Sequence, residues 1–64
     1  MAKHIMRDGQ LVEVQLHRGM ADEWYPGRVF DAERHCVRLF EPLPGGGTLV
    51  KSSGIALWRP TMPR

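Results

Sequence analysis

The sequence predicts an all-β fold in which five short antiparallel strands curl into a small barrel. Residues 10–17 (QLVEVQLH) alternate apolar and polar side chains, which is typical of a half-buried strand. Turn-forming residues then recur roughly every eight to twelve positions. No segment has the apolar spacing of an amphipathic helix. Closing the sheet also removes most of the exposed strand edges that five open strands would leave.

Length and composition predict a small protein without internal disulfide bonds or a structural metal ion. The chain has 64 residues and a net charge of +2, near the lower size limit for a domain that folds alone. Cys36 is the single cysteine, which excludes an internal disulfide and is typical of the cytoplasm. Together with His4, His17 and His35 it shows none of the spacings of a zinc site. We therefore expect no metal and no cofactor. Self-association into a homo-oligomer is the further source of stability that the small size leaves open.

The chain divides into three predicted segments. Residues 1–8 carry mixed charge without periodicity and are expected to form a short arm. Residues 9–60 form the single domain, and residues 61–64 form a tail. No apolar run approaches the ~20 residues of a membrane span, and the N-terminus lacks the apolar core of a signal sequence, so we expect no membrane association.

The first strand follows Gly9. Its apolar side chains are predicted to face the core, and its polar ones to face solvent. The inward set is Val12, Val14 and Leu16. A polar segment containing a glycine follows and suits a loop between strands.

The second strand begins in the segment EWYPGRVFD. Pro26 excludes a helix interior, and Gly27 permits either a bulge or a close approach of another backbone. Trp24 and Tyr25 are adjacent, so on a strand they point to opposite faces. With Val29 in the core, Tyr25 is predicted to point inward and Trp24 outward.

A third strand over residues 36–40 places two side chains inward, Val37 and Leu39. Arg38 and Phe40 lie on its outer face, as do Arg28 and Phe30 on the second strand.

The rest of the chain alternates loops and short strands. Residues 41–47 contain two prolines and three glycines and are predicted to be an irregular loop. Residues 48–51 form a fourth strand, residues 52–54 a tight turn, and residues 55–60 the last strand.

Three short motifs together resemble a known group of domains. They are G-x-L-V-E-V at residues 9–14, W-Y-P-G-R-V at residues 24–29 and L-W-R-P at residues 57–60. The pattern is similar to the Tudor and Agenet group of SH3-like barrels. The resemblance implies a five-stranded SH3-like barrel that acts as a binding module.

Many domains of this group hold a methylated lysine or arginine in a cage of aromatic rings, where a cation gains about 0.5–2 kcal/mol. Carried over to this chain, the resemblance implies rings from Trp24, Tyr25 and Phe40, with Glu41 as the acid that favours a cation. The leading hypothesis is therefore a non-catalytic module that binds a protein or peptide through these residues.

Two other roles for the rings stay open. They can simply pack the barrel and cover its ends, because a small barrel needs every large side chain. Alternatively, Trp24, Phe30 and Phe40 form an apolar patch that a second copy or another protein covers.

A second functional hypothesis is nucleic-acid binding. Arg28, Arg38 and Lys51 would contact phosphates, and Phe30 would stack on a base. Acidic residues scattered among these basic ones are also compatible with an ordinary solvated surface.

Catalysis is not expected. The neighbours His35 and Cys36 point to opposite faces of a strand, so they do not form a dyad.

Overall fold

The computed structural model describes residues 5–19 and 22–61. One antiparallel sheet contains five strands: β1 (Leu11–Leu16), β2 (Tyr25–Asp31), β3 (Cys36–Leu39), β4 (Leu49–Val50) and β5 (Ile55–Pro60). The predicted all-β class and its five antiparallel strands are confirmed. A 3-10 turn at Ser52–Gly54 joins β4 to β5, and the described residues contain no helix long and apolar enough to cross a bilayer.

The strand order is β4-β3-β2-β1-β5. The first four strands pair with their neighbours in sequence, and β5 returns to pair with β1, where Val14 lies opposite Trp58. Further backbone bonds lengthen this contact: Thr61 N–H donates to the Leu11 carbonyl at 2.9 Å, and His17 N–H donates to the Gly54 carbonyl at 3.1 Å. The first strand is therefore held on both sides.

The core lies on one face of the sheet and consists mainly of valines. Val12 and Val14 are fully buried, and the cluster also includes Met6, Val29, Val37, Leu39 and Val50. The inward positions predicted for the first three strands are confirmed. Tyr25 and Trp58 are half-buried and pack against the cluster, so the predicted inward orientation of Tyr25 is also confirmed.

The packed chain begins before the position that the sequence predicts. Met6 is only 6% exposed and belongs to the core. The Asp8 carboxylate accepts the Ala32 N–H at 2.7 Å, and Gly9 N–H donates to the Val29 carbonyl at 2.9 Å. The predicted arm over residues 1–8 is therefore wrong for residues 6–8, while residues 1–4 lie outside the described chain.

Gly27 lies where the backbone of β3 approaches β2 closely. It pairs with Val12 on β1 and with Leu39 on β3. A Cβ atom at this position would lie 2.6 Å from the Arg38 carbonyl oxygen. Of the two roles predicted for this glycine, close backbone approach is therefore the correct one.

The bulge in β2 lies at Phe30. Val29 is opposite Val37, but the next pair is Asp31 with Cys36, so Phe30 is an extra residue on β2. A bulge interrupts the pairing locally. The Phe30 ring is exposed on the outer face, as alternation along the strand predicts, and it contacts Arg38.

Pro26 is tolerated in β2 because of its position. The N–H and C=O groups of one residue in an antiparallel strand point to the same neighbour. The Pro26 carbonyl accepts the N–H of Phe40 at 3.1 Å, so the missing donor also faces β3. Phe40 follows the last residue of β3. The hydrogen bond that Pro26 cannot donate would therefore lie at the end of the β2–β3 pairing.

The loop after β3 has internal order. Three successive glycines, Gly45, Gly46 and Gly47, have φ near +90°. Their conformation brings the loop back on itself, so that Leu43 N–H donates to the Gly47 carbonyl at 3.0 Å. Leu43 then packs against the core. The strand that follows is shorter than the predicted 48–51.

We expect Gly27→Ala to destabilise the fold, because the added methyl group meets backbone rather than a flexible side chain. Overpacking of this kind costs about 1–3 kcal/mol in the free energy of unfolding, which urea denaturation measures.

Gly54→Ala is the matched control, because its Cβ would meet only Val50 Cγ1 at an ordinary 3.5 Å. It should change stability little or raise it by about 0.4–1 kcal/mol. Equal stability of the two variants would contradict the close approach at Gly27.

Candidate functional site

A surface cavity of about 400 Å³ lies where β2 begins and β3 ends. We call it the acidic cavity, and it is lined by Glu23, Trp24, Tyr25, Pro26, Leu39, Glu41, Pro42 and Pro44. Three of the four residues that the sequence predicts for a ligand site meet here: Trp24, Tyr25 and Glu41.

Two loops and two strand ends form the walls of the acidic cavity. Glu23 and Trp24 end the loop before β2, and Glu41 lies in the loop after β3. The hydrogen bond from Phe40 N–H to the Pro26 carbonyl holds the second loop beside the start of β2. The packing of Leu43 against the core fixes this loop further along.

The electrostatic character of the acidic cavity is negative. Its described lining contains the carboxylates of Glu23 and Glu41 and no Lys, Arg or His side chain. The Tyr25 hydroxyl donates a long hydrogen bond of 3.4 Å to Glu23 Oε2. Prolines supply apolar walls without donors. This combination of acidic and apolar groups is chemically compatible with a cation carried on an apolar stem.

Trp24 is already in contact with a cation of the chain itself. The Arg59 guanidinium carbon lies 3.9 Å from the centroid of the indole ring, and Arg59 Nε donates to Glu13 Oε1 at 2.8 Å. The indole is half-buried, and one of its faces is covered. The sequence interpretation left this ring free for recognition, whereas the structure leaves only its other face and its edge for a ligand.

Sequence reasoning did not single out Arg59, although a signal for it existed. The motifs at residues 9–14 and 57–60 contain Glu13 and Arg59, and the β1–β5 pairing sets these two residues directly opposite each other. Opposite charges in such cross-strand positions stabilise a sheet. Pairing of the first strand with the last was the missing information.

Phe40 does not line the acidic cavity. It lines a separate depression of about 290 Å³ on the outer face of the sheet, together with Arg28, Phe30 and Arg38. The three predicted rings therefore do not surround one cavity.

The second predicted set is also divided. Arg28, Phe30 and Arg38 meet in the outer depression, but Lys51 lines a different cavity beside Leu16. The structure thus brings Phe40, rather than Lys51, to the arginine pair.

Both surfaces have to be interpreted from their own geometry. Comparison of the chain with protein-family models, with curated proteins and with solved structures finds no match. The resemblance to Tudor and Agenet domains stays a prediction from three short motifs. Within residues 5–19 and 22–61, no three His, Cys, Asp or Glu side chains are grouped as metal ligands would be.

We expect Arg59→Gln to lower the free energy of unfolding by about 1–2 kcal/mol, since it removes one ion pair and one cation–π contact. Chemical denaturation measures this difference. A double-mutant cycle with Glu13→Gln should give a coupling energy of about 0.2–1 kcal/mol.

Arg34→Gln serves as the control, with the same change in charge. Arg34 is 82% exposed and lies 3.9 Å from Asp31, so its loss should cost less than about 0.5 kcal/mol. If the two variants are equally stable, the contacts of Arg59 do not stabilise the sheet.

Proposed function

We propose that the protein is a non-catalytic interaction module, built as an SH3-like barrel, that binds a peptide by holding a cationic side chain in the acidic cavity. The observation that carries this proposal is the composition of the cavity wall. Two carboxylates, two aromatic rings and three prolines line it, without a basic side chain among the described residues.

A lysine or arginine side chain matches this wall along its whole length. Its methylene stem packs on the proline rings, while its charged end lies near Glu23 and Glu41. The accessible parts of Trp24 and Tyr25 supply ring surface that attracts a cation. Methylation of the cation would enlarge its apolar surface and keep its charge.

The energies require a ligand longer than one residue. An exposed ion pair contributes about 0.2–1 kcal/mol and an exposed cation–π contact about 0.5–1 kcal/mol. With two carboxylates and two rings, these contacts sum to at most about 4 kcal/mol, which corresponds to a dissociation constant of about 1 mM. The partner is therefore a peptide segment that also contacts the surface around the cavity, and not a free amino acid.

Several features of the fold support the SH3-like barrel. The meander of four strands, the 3-10 turn before the last strand and the return of β5 to β1 all suit it. The core comes from one face of one sheet. A core enclosed by a single sheet is the arrangement that a small barrel has.

We expect cationic peptides to bind and matched acidic ones not to bind. The probes are seven-residue peptides of glycine and proline with a central Arg, Lys, trimethyl-Lys or Glu. In ¹H–¹⁵N NMR titrations at millimolar concentration, the cationic peptides should shift the indole signal of Trp24 and the amide signals of Tyr25 and Glu41. Equal shifts with the central-Glu peptide would overturn the proposal.

Charge-neutral variants locate the binding site. Glu23→Gln and Glu41→Gln should each weaken binding by about 2- to 5-fold, the loss of one exposed ion pair. Glu33→Gln is the matched control, because Glu33 is exposed in the turn between β2 and β3 and does not line the cavity. A similar loss in this variant would show that only net charge matters.

A further inference from the structure

The outer face of the sheet carries a second surface with the opposite charge. Arg28, Phe30, Arg38 and Phe40 line the depression of about 290 Å³ described above, and we call these four residues the outer patch. Phe30 is 55% exposed and Phe40 is 56% exposed. Neither the core nor the acidic cavity uses these rings.

The two arginines of the outer patch lie directly opposite each other. Arg28 on β2 pairs in register with Arg38 on β3. Opposed residues of an antiparallel pair have Cα atoms about 4.5–5.5 Å apart, and like charges in this position destabilise a sheet. The chain thus maintains an unfavourable pair of cations at an exposed position.

Among the residues that the structure describes, no carboxylate pairs with these two cations. Over the described ranges, the carboxylates that form ion pairs with an arginine contact Arg34 and Arg59 instead. Arg28 Nη1 donates to the Gly9 carbonyl at 3.0 Å, and the Arg38 guanidinium carbon lies 4.9 Å from the Phe30 ring centroid. Both side chains are thereby oriented by uncharged groups and keep donors for an anion.

Three candidate occupants fit this arrangement poorly. In a two-fold symmetric dimer the same patch meets itself, which would bring four guanidinium groups together. A nucleic-acid duplex keeps its bases stacked inside, where exposed phenylalanine rings cannot reach their faces. An acidic peptide would pair with the arginines but would offer no flat surface to the two rings.

Single-stranded nucleic acid satisfies both the charges and the rings. Its phosphates pair with guanidinium groups, and its unstacked bases stack on aromatic side chains. We propose that the outer patch binds single-stranded nucleic acid, with Arg28 and Arg38 on phosphates and Phe30 and Phe40 against bases. Glu41, next to Phe40 in the chain, repels phosphate and directs the strand away from the acidic cavity.

Fluorescence anisotropy with a labelled ten-nucleotide oligothymidylate tests this proposal. Two phosphate contacts give a slope of about −1.4 in log affinity against log salt, so binding should weaken about 7-fold between roughly 50 and 200 mM salt. Arg38→Gln should bring the slope near −0.7. Phe40→Ala should weaken binding by about 5-fold or more, whereas Phe40→Tyr should retain it.

Lys51→Gln is the control of equal charge, because Lys51 lines a different cavity, and it should bind nearly as well as the unchanged protein. An equal loss in Lys51→Gln and Arg38→Gln would overturn the proposal. Equal or tighter binding of a labelled ten-residue polyglutamate would overturn it in favour of an acidic protein partner. A fall in molecular mass in Phe40→Ala, measured by analytical ultracentrifugation, would overturn it in favour of self-association.

Discussion

The close approach of strands around Gly27 is the constraint on which the rest of the structure depends. At this point β3 approaches β2 so closely that no room remains even for a methyl group, and the side chains of the core are mostly valines. A core of this size accepts few large residues. Tyr25 and Trp58 are only half-buried against the core, while Phe30 and Phe40 lie on the outer face.

Large side chains that the core does not fully enclose line both surfaces, and the charged residues beside them differ in sign between the two. Trp24 and Tyr25 lie with two carboxylates in the acidic cavity, whereas Phe30 and Phe40 lie with two arginines in the outer patch. The backbone hydrogen bond from Phe40 N–H to the Pro26 carbonyl lies between the two surfaces. Apart from Leu39, which lines both, the two surfaces use different side chains.

Side-chain alternation was enough to predict the class, the number of strands and the inward residues of the first three. It was not enough to locate Met6, because an isolated apolar residue among charged ones has no periodicity. It also missed the bulge at Phe30, which depends on how β2 pairs with β3. Parity assigned Phe40 to the outer face, and Lys51 was grouped with the arginines as a basic residue, but strand pairing decided which cavity each one lines. The contact of Arg59 with Trp24 likewise required the pairing of β5 with β1.

The return of β5 to β1 also has a consequence for biosynthesis. The ribosome makes β5 last of the five strands, so β1 has one unsatisfied row of backbone groups until residue 60 has emerged. An uncovered strand bordered by apolar side chains is prone to join other nascent chains. Completion of the sheet therefore waits until β5 has left the ribosome.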